Sequence, residues 1–434
     1  MVATLIISII TFILVTISII FFPKIRIGKI KLDTYWMITL LSAIILISFS
    51  LSPIQEVFKQ LTSNSAINPL KILVLFFSMT ILSIYLDEIG LFHFLAVKAT
   101  KIAKNNQLVL FFIFYLLTSI LTIFTSNDIV ILTLTPFICF FAKNTKINPL
   151  PYLIAEFAAA NTWSMMFIIG NPTNIYLATS AGIGFIDYFK VMWLPTIFAG
   201  LTELFIVFLL FRKQLKTPIE VTDEDYKIES KLDLIIGISI LFICLVFLVI
   251  SSYINIEMWL ISLSSATILL LVALIIRLIT HKHWEYLSCS FKRLPYPLIP
   301  FFLSMFVIVV ALNYQGISLQ ISKFLNQGSP IWVYGYSSLL ASNLINNIPM
   351  SILFSNLPNG LEGLAYNKAI FGSVIGSNIG AFLTPIGALA GIMFSSLLNK
   401  FDVKYSFIDF VKYGLIIAIP TASMALLGLF VITL

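Results

Sequence analysis

The stretch Phe124-Thr125-Ser126-Asn127-Asp128 is a polar turn between two apolar segments, 107–124 and 129–142, and its reading decides the fold. Downstream lies a second interruption, Gly170-Asn171-Pro172-Thr173-Asn174. The other half of the chain carries a matching pair. It has Ser342-Asn343, extended by Asn346-Asn347 and Pro349, then Ser377-Asn378 and Thr384-Pro385-Ile386-Gly387. The spacings agree: 45 residues separate Asn127 from Pro172, and 42 separate Asn343 from Pro385. Polar groups and helix breakers at membrane depth are costly, and irregular backbone persists there only where it is buried in protein or lines a cavity. Two matched interruptions in two halves point to a transporter binding site built from inverted repeats.

The surrounding composition requires a membrane. The 434 residues are 59% hydrophobic and 10% charged, with a mean hydropathy of +1.04. A soluble domain of this size would lack the polar surface to cover itself. The formal charge of +7 is no nucleic-acid signal, because the basic residues sit in short loops between apolar runs, where they set orientation. Cys139, Cys244 and Cys289 are far apart and form no CxxC, so neither a disulfide framework nor a thiolate metal site is expected. The first apolar run, 2–22, has no basic region before it and Lys24, Arg26, Lys29 and Lys31 after it. It reads as a retained spanning helix, not a cleaved leader.

Outward from the turn, the first half reads as apolar helices near 2–22, 35–52 and 70–86, then an amphipathic stretch at 87–106. The segments 107–124 and 129–142 form a hairpin about the Ser-Asn-Asp turn. The second segment, of about 14 residues, is too short to cross the hydrocarbon core. A broken helix, 150–183, and a closing helix, 192–211, complete the half. The second half repeats this order: 232–252, 256–278, 296–312, an amphipathic stretch at 313–328, short segments 330–341 and 348–357, a broken helix 368–398, and 410–432. The expected architecture is therefore an all-α polytopic membrane protein with two inverted-topology repeats. It has about ten transmembrane helices and two re-entrant hairpins. The repeats span 1–215 and 232–434, with hairpin tips at 125–128 and 341–349 and a cytoplasmic linker at 216–231 that turns acidic at Glu220, Asp223, Glu224 and Asp225. With Lys24–Lys31 inside, Lys143, Lys146, Arg212, Lys213, the run Arg277, Lys282, Lys292, Arg293, and Lys400 and Lys404 all fall inside too.

At these residues the chain resembles the arsenite permease (ArsB-type) family. The likeness is carried by Phe124-Thr125-Ser126-Asn127-Asp128 running into Leu132-Thr133-Leu134-Thr135-Pro136, and by Gly376-Ser377-Asn378-Ile379-Gly380 running into Leu383-Thr384-Pro385-Ile386-Gly387. It continues through Gly184-Phe185-Ile186-Asp187-Tyr188 to Phe211-Arg212-Lys213. That family belongs to an ion-transporter superfamily that also holds sodium-coupled di- and tricarboxylate carriers and some sodium/proton antiporters. The resemblance implies the inverted-repeat fold, often as a homodimer, with Ser126-Asn127 and Ser342-Asn343 at the tips that hold substrate and coupling ion. Where the arsenite branch carries acids, near Asn161 and at Asn378, this chain carries amides. The Gly-Asn-Pro-Thr-Asn break is closer to the carboxylate branch.

The candidate substrate- and ion-binding residues are Ser126, Asn127, Asp128, Asn171, Thr173, Asn174, Ser342, Asn343, Asn346, Ser377, Asn378 and Thr384. They offer neutral oxygens and amides at broken helix ends. Half-helix N-termini attract anions, and unwound carbonyls and side-chain oxygens suit Na⁺. Asn127, Asp128 and Asn343 are the candidate Na⁺ ligands. The plainer alternative is that these residues cap helix ends and bridge helices, and Asp128 in particular could be an N-cap. Among the other carboxylates Glu156 lies at membrane depth, and Glu203 lies within a span where it could pair with a neighbouring helix. His281 and His283 flank Lys282 in a basic loop.

No nucleotide loop, nucleophile triad or metal-ligand cluster appears, so no enzyme and no cofactor is expected. Energy must come from a Na⁺ or H⁺ gradient or a separate ATPase subunit. The expected partners are the lipid bilayer of a cell membrane and a small anionic or hydroxylated substrate. The leading expectation is a secondary transporter of a small anion or oxyacid, with arsenite or antimonite as the family-level guess. The alternatives are a sodium-coupled di- or tricarboxylate or inorganic-anion symporter, a sodium/proton antiporter, and a non-transporting membrane sensor.

Overall fold

The computed structural model describes residues 1–22, 24–27, 30–63, 68–104, 106–217, 219, 226–228, 230, 231–251, 253–280 and 291–434. Lys29, Glu220, Asp223, Glu224, Asp225, His281, Lys282, His283 and Cys289 lie outside the described residues.

Apolar sequence in a bilayer has to satisfy its backbone internally, and helices do so within one segment. Among the described residues eight helices are long and apolar enough to cross a membrane, and Leu298–Tyr314 with Ile317–Leu325, bent by 80°, makes a ninth. The chain is an all-α polytopic membrane protein with one small exception. The basic run after the first helix, read above as a loop, contains strands Lys24–Ile27 and Ile30–Asp33, paired antiparallel with Arg26 opposite Lys31. β-branched Ile25 favours that pairing. A short helix, Ile54–Thr62, also forms between the apolar helices expected at 35–52 and 70–86.

The first hairpin has arms Gln107–Phe124 and Asn127–Thr145, and the second has arms Pro330–Ile345 and Asn347–Phe354. The tips fall where the polar turns lie. The returning arm of the first hairpin is longer than the sequence reading allowed. It has 19 residues, about 28 Å at the α-helical rise, so shortness does not mark it as re-entrant. The returning arm of the second hairpin has 8 residues and cannot span. The broken helices are Leu150–Trp163 with Pro172–Ser180, and Gly363–Gly380 with Leu389–Lys400; Phe185–Phe211 and Phe407–Ile432 close the halves.

Packing between the halves is reciprocal. Thr34–Ser48 lies on Leu298–Tyr314, as Met258–Thr280 lies on Pro69–Glu88. Leu389–Lys400 lies on the arm Asn127–Thr145, as Pro172–Ser180 lies on the arm Asn347–Phe354. Each amphipathic helix, Leu91–Ala103 and Ile317–Leu325, starts at a glycine in the left-handed region, Gly90 at φ 87° and Gly316 at φ 72°. A side chain there would strain the bend that turns the chain from the preceding helix. The closing helices share a pattern the sequence reading did not use: Phe185-Ile186-Asp187, Lys190 and Pro195-Thr196 in one, Phe407-Ile408-Asp409, Lys412 and Pro420-Thr421 in the other.

The helix Pro69–Glu88 is tied to the second half near both ends. Lys71 pairs with Glu257 at 2.7 Å. Arg293 pairs with Asp87 and with Glu88, each at 2.6 Å. Arg277, read above as a loop cation, lies inside Met258–Thr280 and is buried against Asp233 at 2.9 Å. A buried cation is tolerated only when it is paired in this way.

Candidate functional site

Four helices end at the tips and breaks, and four begin there. Asn127–Thr145, Pro172–Ser180, Asn347–Phe354 and Leu389–Lys400 present their N-termini, which carry partial positive charge. Gln107–Phe124, Leu150–Trp163, Pro330–Ile345 and Gly363–Gly380 present their C-terminal carbonyls. These are the residues the sequence reading singled out, and they fall into three linked groups.

The first group joins the two halves through Asn378. Its Oδ1 accepts from Ser164 Oγ at 2.9 Å and Asn171 Nδ2 at 3.2 Å. Its Nδ2 donates to Asn174 Oδ1 at 2.6 Å and to the Val374 carbonyl at 2.8 Å. One turn-face away, Ser377 Oγ donates to Thr173 Oγ1 at 2.9 Å. Asn171 caps Pro172–Ser180, its Oδ1 accepting from the Thr173 backbone N–H and hydroxyl, both at 3.1 Å. The helix break falls a turn earlier than expected, after Trp163. Ser164 Oγ donates to the Asn161 carbonyl at 2.7 Å and the Ser164 carbonyl accepts from Asn174 Nδ2 at 2.9 Å, so the helix end is satisfied without continuing. Asn171, Thr173, Asn174, Ser377 and Asn378 are all buried.

The second group is the tip Ser342 to Asn347. Asn343 Nδ2 donates to the carbonyls of Leu339 at 2.8 Å and Gly380 at 3.0 Å, and its Oδ1 accepts from Thr384 Oγ1 at 2.7 Å. Asn346 sits at φ 70°, a conformation that side chains other than glycine and asparagine resist. Its Nδ2 donates to the Ile386 carbonyl at 3.0 Å and its Oδ1 accepts from the Ile348 N–H at 3.4 Å. Ser342 Oγ donates to the Leu339 carbonyl at 2.8 Å. The tip can approach the second break because Gly387 has no side chain: a Cβ there would meet the Gly380 carbonyl at 2.5 Å and Asn343 Oδ1 at 2.8 Å.

The third group is the first tip. Asn127 Nδ2 donates to Asn161 Oδ1 at 3.2 Å, which connects this tip through Asn161 and Ser164 to Asn378. Asn127 Oδ1 and Ser126 Oγ are buried and accept or donate nothing among the described residues. Ser126 occupies the N-cap without a side-chain bond. Asp128 is therefore not the cap; it stands in the first turn of the arm Asn127–Thr145. It is half-buried and makes no hydrogen bond or ion pair among the described residues. Three consecutive residues thus present open oxygens.

Glu156 is fully buried and accepts from Thr135 Oγ1 at 3.0 and 3.2 Å, which ties the first hairpin's returning arm to Leu150–Trp163. Glu203 accepts from Thr162, the helix contact foreseen for it. The sequence reading passed over Ser164 and gave Asn161 no place among the site residues. The signal was available: Asn161-Thr162-Trp163-Ser164 is a polar cluster just before the break. Among the described residues no group of His, Cys, Asp and Glu could hold a metal ion as a cluster.

With this geometry in hand, the chain matches the citrate transporter family over residues 33–363. It is 26% identical over 377 residues to the arsenical pump membrane protein of Escherichia coli K12, covering 82% of this chain and 84% of that protein. It is 24% identical over 405 residues to a putative arsenical pump membrane protein of Bacillus subtilis strain 168, covering 85% of this chain and 87% of the relative. Among solved structures it is similar to the YdaH transporter of Alcanivorax borkumensis, with a TM-score of 0.53 and 13% identity over 99% of this chain and 97% of that one. That likeness is one of fold.

Proposed function

Because this chain belongs to the citrate transporter family, we propose that it is a secondary transporter that moves a small oxyanion or carboxylate across the membrane, driven by an ion gradient. One observation carries the reading. The buried polar crossing at Asn378 ties both broken helices together at the N-terminus of Pro172–Ser180, and no Lys, Arg or His belongs to it. A small anion can be held there by N–H groups, amide nitrogens and helix dipoles, and released without breaking an ion pair.

The repeats 1–215 and 232–434 are proposed to be related by inversion. The reciprocal helix packing and the shared Phe-Ile-Asp and Pro-Thr patterns of the closing helices support this. Substrate would then sit between two equivalent gates, as alternating access needs.

The coupling ion proposed for the first tip is Na⁺. Ser126 Oγ, Asn127 Oδ1 and the Asp128 carboxylate are open oxygens of the kind a hard cation takes. The second tip offers no such set, since Asn343 and Asn346 are engaged with the second break.

The substrate class has two candidates. A carboxylate of the citrate type is favoured by the family match, and arsenite or antimonite by the relatives. Uptake into proteoliposomes tests both. The panel is citrate, succinate, arsenite and antimonite, each with and without an inward Na⁺ gradient. Gradient-dependent uptake of at least one compound is expected. No uptake of any of them, by protein shown to be folded and inserted, would overturn the reading.

A further inference from the structure

We propose that Glu203 is a proton-binding site, built behind the first hairpin and connected to its tip. Glu203 is fully buried in the middle of Phe185–Phe211, while Leu201 and Phe205 on the same helix are exposed. One carboxylate oxygen accepts from Thr162. The other, Oε1, makes no hydrogen bond of good geometry among the described residues; the nearby Tyr115 hydroxyl is its neighbour and is directed to the Gly200 carbonyl. A carboxylate this deep in a membrane is retained for a function or paired with a cation.

No cation is there. The arm Gln107–Phe124 brings Tyr115, whose hydroxyl donates to the Gly200 carbonyl at 2.7 Å and accepts from Trp163 Nε1 at 3.1 Å. Leu150–Trp163 brings Thr162 and Trp163; its Glu156 is engaged with Thr135. Phe407–Ile432 runs antiparallel, with Gly428 against Pro195 and Tyr413 against Phe211, which puts Thr421 level with Glu203. That helix carries no charged residue after Lys412, and Lys231–Ile250 carries none after Asp233, which is held by Arg277. Residues 168–170 are Ile-Ile-Gly. Gly200 lets this cluster close, because a Cβ there would strike the Trp163 ring.

A hydroxyl track leads from this cluster to the tip. Tyr115, Thr118 and Thr122 recur every three or four residues, so they share one face of the arm, and Ser126 follows two residues past the arm's end, at the tip. Thr118, Thr122 and Ser126 are buried and their hydroxyls have no partner among the described residues. Neighbouring Ser119 and Thr125, by contrast, donate to the carbonyls of Tyr115 and Leu121. Thr421 Oγ1 is likewise open. Buried hydroxyls without protein partners are sites for ordered water, and hydroxyls with water between them pass protons.

The step is simple in its balance. A proton from water at the tip adds to Oε1 and converts the carboxylate to the neutral acid, while Thr162 keeps donating to Oε2; release reverses it. A second link runs through the backbone, since Thr162 adjoins Asn161, which holds Asn127. The role as a coupling proton rests on the transport reading above, but the binding of the proton does not.

The test is infrared difference spectroscopy of the purified protein across a pH titration, read at the carboxylic-acid carbonyl band. The wild type is expected to gain a band as pH falls, and Glu203→Gln to lack it. Glu156→Gln should keep it. Thr162→Val, which strips the Oε2 partner, should move its midpoint and serves if Glu203→Gln does not fold. A band that survives Glu203→Gln, or a midpoint unmoved in Thr162→Val, overturns the assignment. Uptake of citrate and arsenite under an imposed pH gradient is a separate arm. A titrating band without pH-driven uptake of either removes the coupling role of Glu203 alone; a titrating band in protein that takes up neither under a pH gradient nor under a Na⁺ gradient would sink the transport reading and leave the proton site standing.

Discussion

At the second hairpin tip Asn343 commits its whole amide to protein, with two donated bonds and one accepted, and Asn346 does the same with one of each. At the first tip Asn127 commits only its nitrogen, Ser126 commits nothing, and Asp128 has no partner among the described residues. The same Ser-Asn pair therefore does two jobs. In the second half it fastens a tip against a break, helped by glycines at 376, 380 and 387 that let backbones meet. In the first half it leaves oxygens open at a helix start. Open buried oxygens are unfavourable unless something binds them, so the asymmetry supports the proposal that the coupling ion binds in the first half, while the second half is fastened.

Removing the residue that joins both halves should break the comparison altogether. Asn378→Ala strips partners from Ser164, Asn171 and Asn174 at once. At about 1–3 kcal/mol for each buried group left unpaired, the loss should be about 3–9 kcal/mol, read as a large fall in thermal unfolding temperature in detergent and no uptake.

The two tips should then separate. Asn343→Ala frees two carbonyls and the Thr384 hydroxyl and should destabilise the fold by about 2–4 kcal/mol. Asn127→Ala loses one bond and should cost about 1 kcal/mol or less, yet abolish gradient-driven uptake. Equal losses of melting temperature in the two variants would show that the tips are equivalent caps.

Asp128→Asn sharpens the first-tip assignment, because the residue has no bond to lose. Stability should stay within about 0.5 kcal/mol of wild type. The Na⁺ concentration needed for half-maximal uptake should rise at least tenfold. Wild-type Na⁺ dependence in this variant would remove Asp128 from the site.

The smallest effect lies away from both tips. Lys71 beside Glu257, by direct hydrogen bonding, holds that exposed carboxyl below its usual range. A depressed carboxyl contributes stability above its unfolded value, near pH 4, and loses it as pH falls through the lower folded value. The difference in melting temperature between wild type and Glu257→Gln should be small at pH 7 and vanish below about pH 4. A difference that persists at pH 3 would mean the pair does not act through charge.

The sequence showed most of the helices because each needs an unbroken apolar run, and it showed both tips because polar residues interrupt those runs. It did not show the break after Trp163. Pro172 marks where a helix starts, at N1, and not where the previous one stops; that stop depends on Asn174 reaching back to the Ser164 carbonyl. The contacts of Asn378 with Ser164, Asn171 and Asn174 join residues some 200 positions apart, and no local pattern encodes such a meeting. Nor could the sequence tell the open tip from the closed one. Both read Ser-Asn, and the difference lies in Gly387 and Thr384, which approach one tip only in the folded chain. Arg277 looked like a loop cation because its partner, Asp233, is on another helix.

The central claim, that the open oxygens of the first tip hold the coupling ion, is tested most directly by binding of radiolabelled sodium to the purified protein. Wild-type protein should bind it saturably. Asn127→Ala and Ser126→Ala should lose that binding with a melting temperature only slightly below wild type, and folded Asn343→Ala should retain it. Absence of saturable binding in the wild type, or loss in Asn343→Ala with retention in Asn127→Ala, would contradict the account.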